Sequence, residues 1–235
     1  MSRLAVLTLA LVHLTLGAAG CAAARVRPEP ALAAVPALAV SGANPRRWGA
    51  PLGFGPYATG PVSGDTTFGW SLQVLAPGAG VAGSARPYAW TSSGPSGALA
   101  AECHERTLEV FAGSLALDVK GASGQPRLAC AFRGADGRTW TLAVRATGRP
   151  VPAYLGELRG PGGERYALRS VHALEGTPIP LGTPAGWVLE REGAAVAMVE
   201  TMNAGRVWLP GGADEAPVAA TATALLLFEP DSGRE

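Results

Sequence analysis

The segment RLACAFRGADGRTWTLAVR, residues 127–145, constrains the fold of this chain more than any other stretch of its sequence. Apolar and polar residues alternate on both sides of Asp136-Gly137, a dipeptide that suits the positive φ angles of a tight hairpin. A period of two is typical of a half-buried β-strand. The segment therefore predicts an antiparallel hairpin with one face in the core. That face carries Leu128, Cys130, Phe132, Trp140, Leu142 and Val144.

The same alternation recurs along much of the chain, separated by short turns that contain glycine. The segments that show it are WSLQVL, RPYAW, TLEVF, SLALDVK, YLGELRGPGGERYALRS, GWVLEREGAAVAMVETM and GRVWL. Closely spaced strands joined by short turns favour a mainly β fold, either an antiparallel sandwich or a barrel-like domain.

Residues 214–229 are the exception to this strand pattern. Asp214 can cap a helix, Pro217 fits its first turn, and the Ala-rich run that follows ends in Leu225 to Phe228. We interpret the segment as an apolar helix that lies on the sheet. The alternative is a final buried strand that ends at Pro230.

The N-terminus has the order of a secretory signal: Arg3, an apolar run from Leu4 to Leu16, and then small residues before Cys21. The end of this run, Ala18-Ala19-Gly20-Cys21, resembles the lipobox of bacterial lipoproteins, with Ala18 where that family usually has a large aliphatic residue. The resemblance implies that the Cys21 thiol receives a diacylglyceryl group and becomes the acylated N-terminus. The alternative is an ordinary secretory signal cut nearby.

This interpretation divides the chain into three parts. Residues 1–20 are the signal peptide, residues 21–47 are the lipidated cysteine and an Ala/Pro-rich tether, and residues 48–235 are a single β-rich domain. Four prolines in the tether oppose a regular helix and favour an extended chain. Alternatively, part of residues 22–47 packs along the domain as an edge strand.

The predicted location is the cell envelope, where the lipid holds the protein to a membrane. Ala22 replaces the aspartate associated with inner-membrane retention in some lipoproteins, which favours the outer membrane, facing the periplasm or the surface. Nineteen Lys and Arg against 18 Asp and Glu give a net charge of +1, and no basic stripe indicates nucleic-acid binding. The expected partners are the membrane and an envelope protein or glycan.

Cys103 and Cys130 remain as an even pair once Cys21 is assigned to the lipid. In an oxidising compartment such a pair predicts a disulfide. Two alternatives are free buried cysteines and a zinc site completed by His104 and His172. The usual zinc-ligand spacings are missing, so we expect the disulfide and no cofactor.

The run GAGVAG, residues 78–83, is a literal G-x-G-x-x-G that follows a predicted strand. The dinucleotide-binding motif needs a helix that begins at this loop and holds the pyrophosphate. Pro87 and the absence of a helical period argue against that helix. We predict a flexible glycine loop between strands.

Glu200 is the most unusual single residue, because it shares a strand face with Val196, Met198 and Met202. A carboxylate on an apolar face needs a partner, and Arg206 follows across the next turn. The pair predicts a rim ion pair that locks the turn, and the alternative is a catalytic or ligand-binding pocket. His172 is in phase with Leu168 and is interpreted as a core or rim histidine.

These observations favour a membrane-anchored envelope lipoprotein with a non-enzymatic binding or structural β domain. The alternative is a secreted hydrolase, or a glycan- or peptide-binding protein, that uses a pocket near Glu200. A concave pocket that contains Glu200 and a second acid or histidine would favour the enzyme. A filled core in which Glu200 is paired with Arg206 would favour the binding or structural role.

Overall fold

A computed structural model describes residues 23–42, 50–64, 67–73, 79–112, 115–118, 126–147, 153–212 and 214–230. The described strands are β1 (Leu38–Ser41), β2 (Gly53–Phe54), β3 (Tyr57–Thr59), β4 (Phe68–Gln73), β5 (Ala79–Gly94), β6 (Gly97–Ala112), β7 (Leu115–Asp118), β8 (Leu128–Gly134), β9 (Thr139–Ala146), β10 (Tyr154–Arg159), β11 (Arg165–Val171), β12 (Gly186–Arg191), β13 (Ala194–Glu200) and β14 (Arg206–Trp208). The described helices are a 3₁₀ helix (Pro30–Leu32) and α1 (Glu215–Leu227).

Twelve of these strands close into an antiparallel barrel. Their order is β5-β3-β2-β1-β14-β13-β12-β11-β10-β9-β8-β6, and β6 pairs again with β5. Closure gives each strand a neighbour on both sides, which pairs the backbone groups that an open sheet edge leaves exposed. The prediction of a mainly β antiparallel domain is confirmed, and the barrel is the form it takes.

The predicted hairpins form as the alternation indicates. β8 and β9 pair across the turn that contains Gly137 at φ +78°, and β12 and β13 pair across Glu192 and Gly193 at φ +53° and +80°. A turn with two successive positive φ angles matches the twist of the flanking strands. The inward face of the first hairpin is buried as predicted.

The α1 helix is confirmed, but its predicted position on the sheet is wrong. Side chains are buried all around the helix from Pro217 to Leu227, and α1 contacts β5, β6, β8 and β13. The helix therefore lies inside the barrel. Twelve strands enclose more space than their own side chains fill, and an α-helix is about 10 Å wide, so α1 completes the core. Within the described residues, no helix has the length and apolar content needed to cross a membrane.

The interpretation of residues 22–47 as a tether is wrong for residues 23–42, which belong to the packed domain. Val26, Leu32 and Val40 are buried, and β1 pairs with β14 on one side and with β2 on the other. Burial of these aliphatic side chains favours packing over an extended tether. β1 is an interior strand of the barrel, and not the edge strand of the alternative. The signal peptide, Cys21 and Trp48 lie outside the described residues.

β5 and β6 are much longer than the other strands and continue beyond the barrel. β6 pairs with β8 only as far as Glu105, while β5 and β6 stay paired to Ala79 and Ala112. β4 flanks the free part of β5 and β7 flanks that of β6. We call this four-stranded projection the extension sheet. It comprises β4, residues 79–86 of β5, residues 105–112 of β6, and β7.

The expected glycine loop at residues 78–83 is also corrected, because residues 79–83 begin β5. Gly83 faces Trp70 across the strand pair, and a Cβ at Gly83 would lie 2.8 Å from the indole ring. The glycine therefore makes room for a tryptophan packed over the neighbouring strand. Strand geometry, with no helix following, is incompatible with the dinucleotide-binding motif.

Candidate functional site

Glu200 lies on the outer wall of the barrel, under the N-terminal segment. It ends β13, and its side chain is only 2% exposed. Residues 23–35 cross this wall and bury a second apolar cluster outside the barrel core. This outer cluster consists of Val26, Leu32, Ala185, Val188, Met198 and Trp208. Glu200 therefore has the apolar surroundings that the sequence predicted. The chain's own N-terminal segment shields them from solvent.

Both carboxylate oxygens of Glu200 have partners. Arg206 stands directly opposite Glu200 in the β13–β14 pair, and its Nε donates to Oε2. The backbone N–H of Val26 donates to Oε1 at 3.3 Å. The Arg206 guanidinium also lies 4.8 Å from the centre of the Trp208 ring, within the range of a cation–π contact. The predicted ion pair is present, and it also holds the N-terminal segment.

This arrangement suits Glu200 for a structural task. The carboxylate is buried, faces a cation and accepts a backbone hydrogen bond, so both of its oxygens already have donors. A general base must instead reach a proton on a bound substrate. Through these contacts Glu200, at the end of β13, links β14 to the N-terminal segment that precedes β1.

His172 lies just after β11, close to Ser170. Its Nε2 is 2.9 Å from the Ser170 Oγ, and its Nδ1 is 3.0 Å from the Leu181 carbonyl oxygen. The carbonyl can only accept, which makes Nδ1 the protonated nitrogen and Nε2 the acceptor from Ser170. The Ser170 Oγ also accepts the Tyr154 N–H at 2.9 Å. His172 thus joins the 172–185 loop to the rim of the barrel and makes no contact with Glu200 among the described hydrogen bonds.

The predicted Cys103–Cys130 disulfide is present. The two residues face each other directly across β6 and β8 and point into the barrel. The bond uses both thiols, so the zinc alternative loses two of its four ligands. His104 also points to the opposite, exposed face of β6. Among the described residues, no group of three or more His, Cys, Asp or Glu side chains could hold a metal ion.

A buried charge cluster lies where β5 and β6 leave the barrel. Arg86 donates to Glu105 at 2.5 Å and to Glu229 at 3.2 Å, and Glu105 is 3% exposed. Burial raises the pKa of the Glu105 carboxyl above its usual value, and the attraction of Arg86 only partly offsets this. Burial lowers the pKa of Arg86, but the facing carboxylates outweigh it and raise that pKa.

The last described residue, Pro230, is held beside the same cluster. The carbonyl oxygen of Pro230, just beyond α1, accepts hydrogen bonds from Arg127 at 3.0 Å and from the Tyr154 hydroxyl at 3.2 Å. These groups close the barrel around the C-terminal end of the helix.

This cluster was not predicted, although the sequence carries the same signal here as at Glu200. Arg86 shares its strand face with Tyr88 and Trp90, and Glu105 shares its face with Cys103. Each is a charge on an otherwise apolar face. Glu229 and Pro230 carried no such signal, because only the path of α1 through the barrel brings them to Arg86.

A second polar group closes the opposite end of the barrel, at the start of α1. The Tyr166 hydroxyl donates to Asp214 at 2.5 Å, and Arg191 lies 3.4 Å from the same carboxylate. Burial, followed by the hydrogen bond to Asp214, raises the pKa of Tyr166 to about 12. The predicted cap residue Asp214 makes no side-chain cap bond to the helix and instead fastens it to β11.

A shallow depression lies on the outer wall over β9 and β10, with a volume of about 650 Å³. Gly156 forms part of its floor, where a Cβ would lie 2.6 Å from the Ala143 carbonyl oxygen. Arg159 on its border is held by Glu157 through two hydrogen bonds of 2.8 and 2.6 Å. Arg145 also lines this depression.

Comparison of the chain with protein-family models, with curated proteins and with solved structures found no match.

Proposed function

We propose that this chain is a lipid-anchored protein of the bacterial cell envelope whose barrel domain binds a partner or has a structural role. The observation that best supports the non-catalytic role is the engagement of both Glu200 oxygens, one by Arg206 and the other by the Val26 N–H. The filled barrel supports it as well, because α1 occupies the interior that could otherwise hold a small ligand.

The anchor follows from the secretory signal and from the position of Cys21 after small residues. The packed N-terminal segment adds a constraint to this proposal. The Ala24 carbonyl oxygen accepts a hydrogen bond from Asn203 at 2.9 Å. Only three residue steps separate Ala24 from Cys21, or at most about 10 Å of extended chain. The lipid on Cys21 would therefore hold the barrel close to the bilayer. There the barrel would bind or support partners near the membrane surface.

The hydrolase alternative has less support from the described residues. It requires Glu200 in an accessible pocket beside a second acid or a histidine, whereas Glu200 lies beneath the N-terminal segment and His172 bonds Ser170 and Leu181. The depression over β9 and β10 is the better candidate for a glycan or peptide, since it is open and carries arginine side chains.

The anchor is tested on the full chain produced in a bacterium that processes lipoproteins. Mass spectrometry of the N-terminal peptide should find an acylated Cys21 with no residues before it. Cys21→Ser should move the protein out of the detergent-extracted membrane fraction, while the matched neighbour variant Ala22→Ser should stay in it. Recovery of unacylated wild-type protein in the culture medium would overturn the proposal.

A further inference from the structure

The extension sheet projects well beyond the barrel and presents an apolar face to solvent. Seven residues of β6 follow Glu105, which corresponds to about 23 Å at the rise of a β-strand. On one face of this sheet, Phe68, Trp70 and Leu72 are 69%, 47% and 60% exposed, and Val110 beside them is 40% exposed. Solvent-exposed aromatic and aliphatic residues grouped in this way mark an interaction surface.

Strand register makes this a continuous face. Phe68, Trp70 and Leu72 stand opposite Ala85, Gly83 and Val81, and these in turn stand opposite Arg106, Leu108 and Val110. Side chains at alternate positions point to the same side. The face therefore crosses three adjacent strands. We call it the apolar face of the extension sheet.

The charge on this face is of one sign. Its described side chains carry no carboxylate, and the exposed Arg106 stands at the edge nearest the barrel. His104, also exposed, is the next residue on the same side of β6. An apolar surface with an arginine at its border is compatible with an element that lies in the interface of a membrane with anionic lipids.

The described N-terminal segment begins at the end of the barrel from which the extension sheet projects. Connections in an antiparallel barrel alternate between its two ends, and the β11–β12 and β13–β14 connections lie at the end where β6 departs. In the β11–β12 connection, the Glu175 N–H donates a hydrogen bond of 2.8 Å to the Arg25 carbonyl oxygen of the N-terminal segment. In the β13–β14 connection, the Asn203 side chain donates a hydrogen bond to the Ala24 carbonyl oxygen. The first described residues therefore lie at this end, and Cys21 precedes Ala24 by three positions in the sequence.

We propose that the apolar face of the extension sheet inserts into the headgroup region of an anionic lipid bilayer, the same bilayer that holds Cys21. This inference rests on the proposed lipid anchor. It gives the anchored protein a second membrane contact in addition to the diacylglyceryl group on Cys21. Two contacts would also fix the orientation of the barrel, with the end that carries Pro230 towards the lipid.

The test measures the depth of a label in vesicles. Leu72→Cys places a thiol on the apolar face, and Leu155→Cys, at a residue 54% exposed on the outer wall of β10, is the matched control. Each full-length variant, as isolated from the producing cells, is labelled with an environment-sensitive dye. It is then mixed with vesicles of phosphatidylethanolamine and phosphatidylglycerol that carry a nitroxide on the acyl chain. Peptide mass spectrometry identifies the labelled cysteine and the state of Cys21.

We expect the nitroxide to quench the dye at position 72 several-fold more than the dye at position 155. Vesicles of phosphatidylcholine alone should reduce this difference, since they lack the charge that attracts Arg106. Equal quenching at the two positions would overturn the inference. So would a dimer or a bound protein that protects position 72 in solution and keeps it away from lipid.

The proposed membrane contact and the proposed lipid anchor can be disproved independently of each other. An acylated Cys21 with an unquenched dye at position 72 leaves the anchor in place and removes the second contact. An unacylated Cys21 with a quenched dye at position 72 removes the anchor and leaves the apolar face as the membrane contact.

Discussion

Arg86 and Glu105 lie directly opposite each other on β5 and β6, joined by a 2.5 Å ion pair, where the two strands leave the barrel. On the barrel side of the pair, apolar residues such as Trp90 point inward. On the extension side, apolar residues such as Val110 lie on the face continuous with the outside of the barrel. The apolar face of the two strands therefore changes sides at this ion pair. The pair ends the barrel core and begins an amphipathic sheet.

Glu105→Gln should leave the folded protein at least as stable as the wild type at pH 7. The folded state raises the pKa of Glu105, so the ionised carboxylate destabilises the fold relative to the neutral form. The wild type should therefore lose stability as the pH rises above the ordinary value of 4.5, whereas the variant should not lose this contribution. Urea unfolding between pH 4 and pH 7 measures the free energy of unfolding of both proteins.

Arg86→Met is the contrasting variant for the same ion pair. It removes the cation that faces two carboxylates, and loss of one partner of a buried pair costs roughly 3–5 kcal/mol. If Glu105→Gln lowered the free energy of unfolding at pH 7 by a similar amount, the attraction of Arg86 would outweigh the cost of burying Glu105. That result would contradict the prediction for Glu105→Gln.

The alternation in the sequence was sufficient to predict strands such as β8 and β9, because each has one buried face and one more exposed face. It also identified the Glu192-Gly193 turn and the pairing of Glu200 with Arg206. It could not distinguish a sandwich from a barrel, since both have the same alternation. That choice depends on the contact of β6 with β5 and on the strands β1 to β3 that complete the ring.

Residues whose role depends on distant parts of the chain were beyond such local reasoning. Leu38–Ser41 follows a proline-rich stretch and resembles a tether until its partners in β14 and β2 are known. The composition of α1 indicated burial, but only the closed barrel shows that it is surrounded on all sides. TLEVF shows the same alternation as the barrel strands, but only the strand register places Leu108 on the apolar face of the extension sheet.

Removal of the disulfide should destabilise the barrel without changing its fold. Cys103→Ala combined with Cys130→Ala opens a link between residues 27 apart, for which the chain-entropy model gives about 3.5 kcal/mol. The residues already stand opposite each other in the sheet, so backbone pairing should persist. Thermal unfolding followed by circular dichroism, with and without a reductant, measures the effect. A reductant that lowers the melting temperature of the double variant would contradict the assignment of the effect to this bond.

The barrel should lose stability at high pH through Tyr166. Its pKa of about 12 in the folded state exceeds the ordinary value of 10, so unfolding releases a proton between these values. The stability contribution is complete below pH 10 and declines as the pH rises towards 12. Tyr166→Phe should remove this part of the alkaline decline, which is measured by urea unfolding at pH 9 to 11.

The ultraviolet absorbance of tyrosinate provides the check on Tyr166. The difference between wild type and Tyr166→Phe should contain one phenol that ionises near pH 12. A phenol that ionises near pH 10 in this difference spectrum would show that the hydrogen bond to Asp214 does not hold the proton.

Glu200→Gln should loosen the N-terminal segment and lower the stability of the domain by about 1–3 kcal/mol, because a charged hydrogen bond becomes a neutral one. The matched control is Glu157→Gln, which breaks an exposed pair with Arg159 worth roughly 0.2–1 kcal/mol. Limited trypsin digestion reports on the segment directly, since Arg25 and Arg27 lie within it. Cleavage there should be faster in Glu200→Gln than in the control, because Val26 between them donates to the Glu200 carboxylate. Unchanged melting and unchanged cleavage would mean that the carboxylate does not hold the segment, and would return Glu200 to the candidates for ligand binding.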